Sequence, residues 1–221
     1  MASAIPQQYI EGIVNFFGYD FEVTRDVLIP RPETEIAVEE AIACARRFVG
    51  HASIDILDLG TGSGNMSISL TKEIKKSKIM ASDISERAIE LARKNAYVHG
   101  VSDRIEFIVS DLFENICAAF DIIVSNPPYI ARDEMASLPP EVLSEPVISL
   151  DGGDGGLDVI RVLIAQAARF LKPGGFLVIE IGYNQADAVR HLMNASCGLR
   201  LIHIRRDYAG IERVAVAQRN G

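Results

Sequence analysis

The chain has 221 residues, 48% of them hydrophobic and 24% charged, with a mass of 24.1 kDa and a mean hydropathy of +0.17. That suits one soluble domain with at most a small appendage. The 22 basic and 30 acidic residues leave a net charge of −8 and a pI near 5.1, which disfavours a broad grip on nucleic-acid phosphates. Cys44, Cys117 and Cys197 show neither a CxxC pair nor metal-ligand spacing, and no basic-then-apolar leader opens the chain. The expectation is a reduced, cytoplasmic protein with no metal site. The apolar stretch 159–171 is interrupted by Arg161 and Arg169, far short of the roughly 18 uninterrupted apolar residues of a membrane span.

In chain order, residues 5–29 have hairpin character, and Arg31-Pro32-Glu33-Thr34-Glu35 opens a helix expected to run to about 49, with proline and acids in its first turn. Strands are expected at 55–59, 78–82, 104–109 and 120–125, with helices at 65–75 and 85–99 between the first three. The run FDIIVS is apolar without alternation, as in a strand buried on both faces. The irregular stretch 130–156, rich in Pro, Gly and acids, is long enough to be a functional loop facing substrate. A helix at 157–171 ends at the stop signal Lys172-Pro173-Gly174-Gly175, and a strand follows at 176–181. A helix near 185–193 and strands at 200–206 and 212–217 close the chain, the last two as an antiparallel hairpin. The fold class is α/β: a Rossmann-like, seven-stranded, mostly parallel sheet with an antiparallel C-terminal hairpin. Residues 1–30 read as a hairpin or linker and 31–221 as the catalytic domain.

Two turns carry the chemistry. Asp58-Leu59-Gly60-Thr61-Gly62-Ser63-Gly64 lies where the first parallel strand hands over to a helix, so its amides face the crevice beyond the sheet's carboxyl edge. It is not a Walker loop, because no Gly-Lys-Ser/Thr is present, and Asn65 stands where a dinucleotide fingerprint wants a small residue. Asp83, at the end of the next strand, falls where a carboxylate holds a ribose diol, unless it merely caps the following helix, a role Ser85 can also fill. Asp111 is placed either to accept from an adenine amino group or simply to solvate its loop, and Leu112 to pack on the ring. Together these point to an adenosine ligand.

The second turn, Asn126-Pro127-Pro128-Tyr129, ends the buried fourth strand on the opposite side of the same crevice. Successive prolines fix φ and restrict the residue before them, freezing the Asn126 side chain and the Pro127 carbonyl as two rigid acceptors. Held by both, an amide or aromatic amino group is drawn toward tetrahedral geometry, its lone pair localised. Tyr129 then stacks on the planar group and fixes its face toward an electrophile. The electrophile that matches an adenosine site and needs no strong base is the methyl sulfonium of S-adenosylmethionine, with S-adenosylhomocysteine as the product.

With these residues assembled, the chain resembles the release-factor glutamine methyltransferases, the HemK-like group. The resemblance runs from Pro6-Gln7-Gln8-Tyr9-Ile10-Glu11-Gly12 through 27–35, the glycine turn, 120–130, Glu145-Pro146, 152–158 and Glu180-Ile181-Gly182-Tyr183. It implies cofactor contacts at Gly60, Thr61, Gly62, Ser63, Gly64, Asp83, Leu112 and Asn126, and substrate contacts at Asn126, Pro127, Pro128 and Tyr129, with Asn126, Pro127 and Tyr129 performing catalysis. Some relatives carry an aromatic residue where this chain has Leu112. The implied substrate is a glutamine side-chain amide in the Gly-Gly-Gln loop of a peptide chain release factor. The family's small N-terminal helical domain would precede the Pro6–Gly12 segment, with which this sequence nearly begins, so the chain reads either as an excised catalytic domain or as a short member that uses a partner subunit, the long loop or a different substrate.

Two other readings compete. An adenine N6-methyltransferase acting on DNA or RNA would use the same turn, but the net charge of −8 and the lack of a basic tract oppose it. A methyltransferase-like binding module would keep the fold without turnover. Glu33 and Glu35 suit a helix start as well as a cationic ligand. His51, His99, His191 and His203 are scattered, and Arg205, Arg206 and Arg213 read as solvated strand ends.

Overall fold

The computed structural model describes residues 5–220. A short helix α1 (Gln7–Glu11) leads into a hairpin of β1 (Ile13–Phe16) and β2 (Tyr19–Glu22), joined by Phe17 and Gly18, both at positive φ. Two central residues at positive φ match the twist of the flanking strands. The Phe17 amide donates to Glu35 Oε1 at 2.7 Å, so Glu35 braces this turn.

Helix α2 (Glu35–Ala45) follows a single 3-10 turn at Pro32–Thr34. It ends four residues before the position expected from sequence. Arg47 and Phe48 donate to the carbonyls three residues back, at 2.9 and 3.1 Å, which tightens the chain out of the α-helix. Phe48 then packs edge-on against Phe176.

The parallel units come next: β3 (Ile54–Leu59), α3 (Asn65–Glu73), β4 (Ser77–Asp83), α4 (Glu86–Val98), β5 (Ile105–Val109) and β6 (Phe120–Ser125). The stretch 130–156 contains one helical turn, α5 (Pro140–Leu143), and otherwise 3-10 turns and loops. The chain closes with α6 (Asp158–Phe170), β7 (Leu171–Glu180), α7 (Ala186–Ala195), β8 (Leu199–Arg206) and β9 (Glu212–Arg219). The predicted stop at Lys172-Pro173-Gly174-Gly175 is not a loop. Leu171 already pairs with Phe120, and the next partners are Ile122 and Phe176, so these four residues form a bulge inside β7.

The seven strands run in the order β5-β4-β3-β6-β7-β9-β8, parallel except for the two pairings that β9 makes. Strand order reverses between β3 and β6, which places a ligand crevice at their carboxyl ends. Every residue of β6 is buried. Ile122 and Val124 pack with α2 and α3 on one face, Ile123 with α6 and α7 on the other, as the two-residue repeat of a strand requires. Phe16 and Phe21 of the hairpin are buried in the first of these two clusters. Among the described residues, no helix is long and apolar enough to cross a membrane.

Candidate functional site

A cavity of about 580 Å³ opens at the β3–β6 switch point, within the size range of small-molecule and cofactor sites. Gly60, Thr61, Gly62 and Ser63 line one wall. Gly60 and Gly62 sit at φ 73° and 54°, and a Cβ on Gly62 would meet no protein atom within 4 Å. The backbone there needs glycine and leaves the space beside it to a ligand.

Asp58 holds this loop from below. It is fully buried, and its Oδ2 accepts from Thr61 Oγ1 at 2.7 Å and from Ser67 Oγ at 2.5 Å. Burial pushes its carboxyl up to about 6 against the stabilisation from those hydroxyls. Sequence reasoning included Asp58 in the glycine turn without assigning it this role.

Asp83 is not the cap of α4. Ser85 is, its hydroxyl accepting from the Ala88 amide at 3.2 Å. Asp83 instead accepts the Gly62 amide on Oδ2 and the Ser85 amide on Oδ1, both at 2.9 Å, joining the glycine loop to the end of β4. A carboxylate has about four lone-pair sites, so two remain for hydroxyl groups in the cavity that Asp83 lines. Burial raises its pKa more than these two amides lower it.

Asp111 and Leu112 line the same cavity after β5. Leu112 is at φ 43°, and Ser110 fixes the turn by donating to the Leu112 carbonyl at 3.0 Å and accepting from the Asn115 amide at 3.0 Å. Ser110 was not singled out from sequence.

Asn126 and Pro128 line the cavity from the end of β6, and Pro127 and Tyr129 stand beside them in the same turn without lining it. Gly64 also lies away from the cavity, where an added Cβ would stand 3.2 Å from Ala92 and Ile68. Tyr129 donates its hydroxyl to Glu180 Oε1 at 3.1 Å; burial, followed by the Glu180 charge, raises the pKa of that hydroxyl and keeps it a donor. The Asn126 Nδ2 donates to Thr34 Oγ1 at 3.1 Å. Both Thr34 and Glu180 are buried.

The turn is fixed from behind as well. A Cβ on Gly152 would fall 2.7 Å from the Pro128 carbonyl oxygen, and one on Gly156 would fall 2.1 Å from that of Tyr129. Gln185 donates to the Tyr129 carbonyl at 2.9 Å and to that of Gly156 at 3.1 Å. Gly152 and Gly156 are therefore a packing requirement of the Asn126–Tyr129 turn. The long loop also supplies Pro146, Val147, Ile148, Ser149 and Asp151 to the cavity wall. It is tied across the site by Glu145, which accepts from Arg31 and from the Ile29 amide.

Other sequence readings resolve simply. His203 pairs with Glu40 at 2.9 Å and His99 with the Asp20 carbonyl at 2.9 Å, both away from the cavity. Arg205 is bound by Glu39 and Glu40. Arg213 is not a solvated strand end: its side chain is 13% exposed and pairs with Asp207 at 3.2 Å. Among the described residues no cluster of His, Cys, Asp or Glu is placed to hold a metal ion.

Comparison with known proteins gives this geometry a family. The Methyltransferase small domain matches residues 44–145, covering the glycine loop, Asp83 and the Asn126–Tyr129 turn. The release factor glutamine methyltransferase of Moorella thermoacetica is 40% identical over 219 residues, 99% of this chain and 76% of that protein. The chain belongs to the release factor glutamine methyltransferase family. The Agrobacterium fabrum member is 41% identical over 220 residues, again 99% of this chain and 76% of the relative. A methyltransferase from Pyrococcus furiosus superposes with a TM-score of 0.66 at 17% identity, covering 93% of this chain and 91% of that one. That likeness concerns the fold.

Proposed function

We propose that the protein is an S-adenosylmethionine-dependent N-methyltransferase acting on the side-chain amide of a glutamine in a protein, the Gly-Gly-Gln loop of a peptide chain release factor. The observation that carries this is the placement of Asn126 in the lining of one cavity with Gly60 and Gly62, in a chain 40% identical to a release factor glutamine methyltransferase over 99% of its length.

The residues present fit the cofactor. The glycine loop offers open space beside its backbone, Asp83 retains acceptor capacity for a ribose diol, and Leu112 with Ile84 and Ala88 gives an apolar lining for a base. When bound there, S-adenosylmethionine supplies a methyl group on a sulfonium, which leaves as the neutral thioether S-adenosylhomocysteine.

The chain's own groups arrange the acceptor. Asn126 Oδ1 and the Pro127 carbonyl accept the two amide protons of the glutamine side chain, turning its nitrogen lone pair toward the methyl group. Their placement is set by two prolines, Gln185 and the packed glycines rather than by substrate. This is a positioning effect, which contributes several kcal/mol to such transfers. The nitrogen gains a methyl group and loses one proton to water, so no general base of high pKa is required.

The same turn would hold an adenine amine. Family membership and the charge of −8 favour the protein acceptor. Incubation with methyl-labelled cofactor, release factor and nucleic acid in parallel tests the choice. Label on the release factor supports it, and label on nucleic acid alone overturns it.

A further inference from the structure

Two adjacent apolar side chains in the cavity wall are left largely uncovered by the fold. Val147 is 61% exposed and Ile148 55%, yet both line the cavity, so they stand at its mouth. An isolated exposed apolar residue needs no explanation, whereas neighbouring ones at the edge of a site mark a contact surface. Their backbone is firmly held. Residues Val147–Ser149 form one 3-10 turn, preceded by buried Glu145, which accepts from the Ile29 amide at 3.0 Å and from Arg31. After the turn, Leu150 is buried. The Asp151 amide donates to the Val147 carbonyl at 2.9 Å, and the Ile130 amide donates to the Leu150 carbonyl at 3.0 Å.

These ties put the turn on the acceptor side of the cavity. Ile130 directly follows Tyr129, while Ile29 and Arg31 flank Pro30, a lining residue, and lead to Thr34, which accepts from Asn126 at 3.1 Å. Both anchors of Val147 and Ile148 are thus neighbours of the Asn126–Tyr129 turn. Among the described residues no hydrogen bond joins 145–151 to the glycine loop.

Charge narrows what can occupy this mouth. The lining holds Asp26, Asp83, Asp111 and Asp151 and, among the described residues, no Lys, Arg or His. Arg87 and Arg132 pair with Asp26 and Asp151 from outside the lining. A phosphate-bearing acceptor would meet carboxylates there with no lining cation, a like-charge contact that disfavours it. A protein segment brings no such charge, and lysines or arginines beside it complement the acids.

We propose that Val147 and Ile148 are specificity-determining residues that grip the acceptor protein beside its glutamine. The occupant is the Gly-Gly-Gln loop of a release factor, so the inference rests on the proposed function and deepens it. Glycines next to the glutamine have no side chain to hold the two chains apart. Val147 and Ile148 then bury against the loop's backbone, and the glutamine amide passes inward to Asn126.

The test separates grip from turnover. Binding of a purified release factor in the presence of S-adenosylhomocysteine is measured by calorimetry for the parent, Val147→Ser, Ile148→Ser and the double variant. Val98→Ser is the control, since Val98 is 70% exposed on α4 and does not line the cavity. Each single lip variant is expected to bind the release factor about 10-fold more weakly, the double variant more weakly still, and Val98→Ser like the parent. Affinity for S-adenosylhomocysteine and the urea midpoint are expected to hold in all of them, because the replaced side chains are exposed. In turnover, KM for the release factor rises by the same factor.

Parent-like binding by the double variant overturns the proposal, as does a parent that binds no release factor. An equal loss of S-adenosylhomocysteine affinity would assign the pair to the cofactor, and a loss carried by kcat with KM unmoved would assign it to transfer geometry; either overturns the grip. A release factor that binds through the pair but gains no methyl group leaves the grip in place and removes the proposed function. A double variant that methylates the release factor with the parent's KM does the reverse.

Discussion

Glu145 accepts the backbone amide of Ile29 at 3.0 Å, across 116 positions of sequence, while its other oxygen accepts from Arg31. Its side chain is 1% exposed. This contact fastens the long loop to the segment that precedes α2, and the residues just after Glu145 form part of the cavity wall. Removing it leaves a buried amide and a guanidinium unpaired. Glu145→Ala is expected to destabilise the fold by about 2 kcal/mol, read as a lower urea midpoint with unchanged slope. An unchanged midpoint would show that the loop is held by other contacts.

Asn126→Ala removes one of the two acceptors proposed for the substrate amide but leaves the glycine loop and Asp83 intact. Methyl transfer is expected to fall by about 100- to 1000-fold, while cofactor affinity measured by calorimetry falls much less. Near-normal turnover would remove Asn126 from the chemistry.

Gly152 has no positive φ, so its replacement tests packing alone. A Cβ there would stand 2.7 Å from the carbonyl oxygens of Pro128 and Gly156, contacts that only backbone movement relieves. Gly152→Ala is expected to cost about 1–3 kcal/mol of stability and to lower kcat more than cofactor affinity, because the turn carrying Asn126 is what moves. Equal kcat in the two proteins would mean that the loop yields and the turn does not.

Glu180 and Asp58 give the fold a definite response to pH. Burial is the leading cause in both, raising Glu180 from 4.5 to about 7 and Asp58 from 3.8 to about 6. The folded protein therefore binds these protons more tightly than the unfolded chain does. Their stabilising contribution is complete below the unfolded values and is lost as pH rises through the folded ones. Glu180→Gln cannot lose such a proton, so between about pH 5 and pH 8 its melting temperature is expected to fall less than the parent's, by roughly 5 °C. Parallel curves would contradict the shifted carboxyl.

Much of this was readable in advance, and the reasons are physical. Parallel strands buried on both faces appear as unbroken apolar runs, so 120–125 is a strand to the residue. The glycine loop and the Asn126 turn announce themselves because glycine and proline leave a mark in sequence. Thr34 and Glu180 carry no such mark. They stand 92 and 54 positions from Asn126 in sequence, and only the return of β7 beside β6 and the packing of α2 on that strand bring them under one turn. Lys172 to Gly175 misled for the opposite reason. A helix-stop signal does not tell whether the freed chain leaves the sheet or bulges within it. Asp83 illustrates a third case: of the two roles that its position offered, the capping of α4 falls to Ser85.

The division of labour at the site has a simple form. On the proposed reading, the cofactor side is the glycine loop, braced by Asp58 and Asp83, and the acceptor side is the proline-fixed turn, braced by Gly152, Gly156 and Gln185. Transfer from a sulfonium would then ask orientation of both sides.

The most direct test of that account is fragment mass spectrometry of a release factor after incubation with the protein and S-adenosylmethionine. The account predicts a single methyl group on the side-chain nitrogen of the glutamine in the Gly-Gly-Gln loop, lost in Asn126→Ala. A methyl group on any other residue type, or an unmodified release factor alongside methylated nucleic acid, would contradict it.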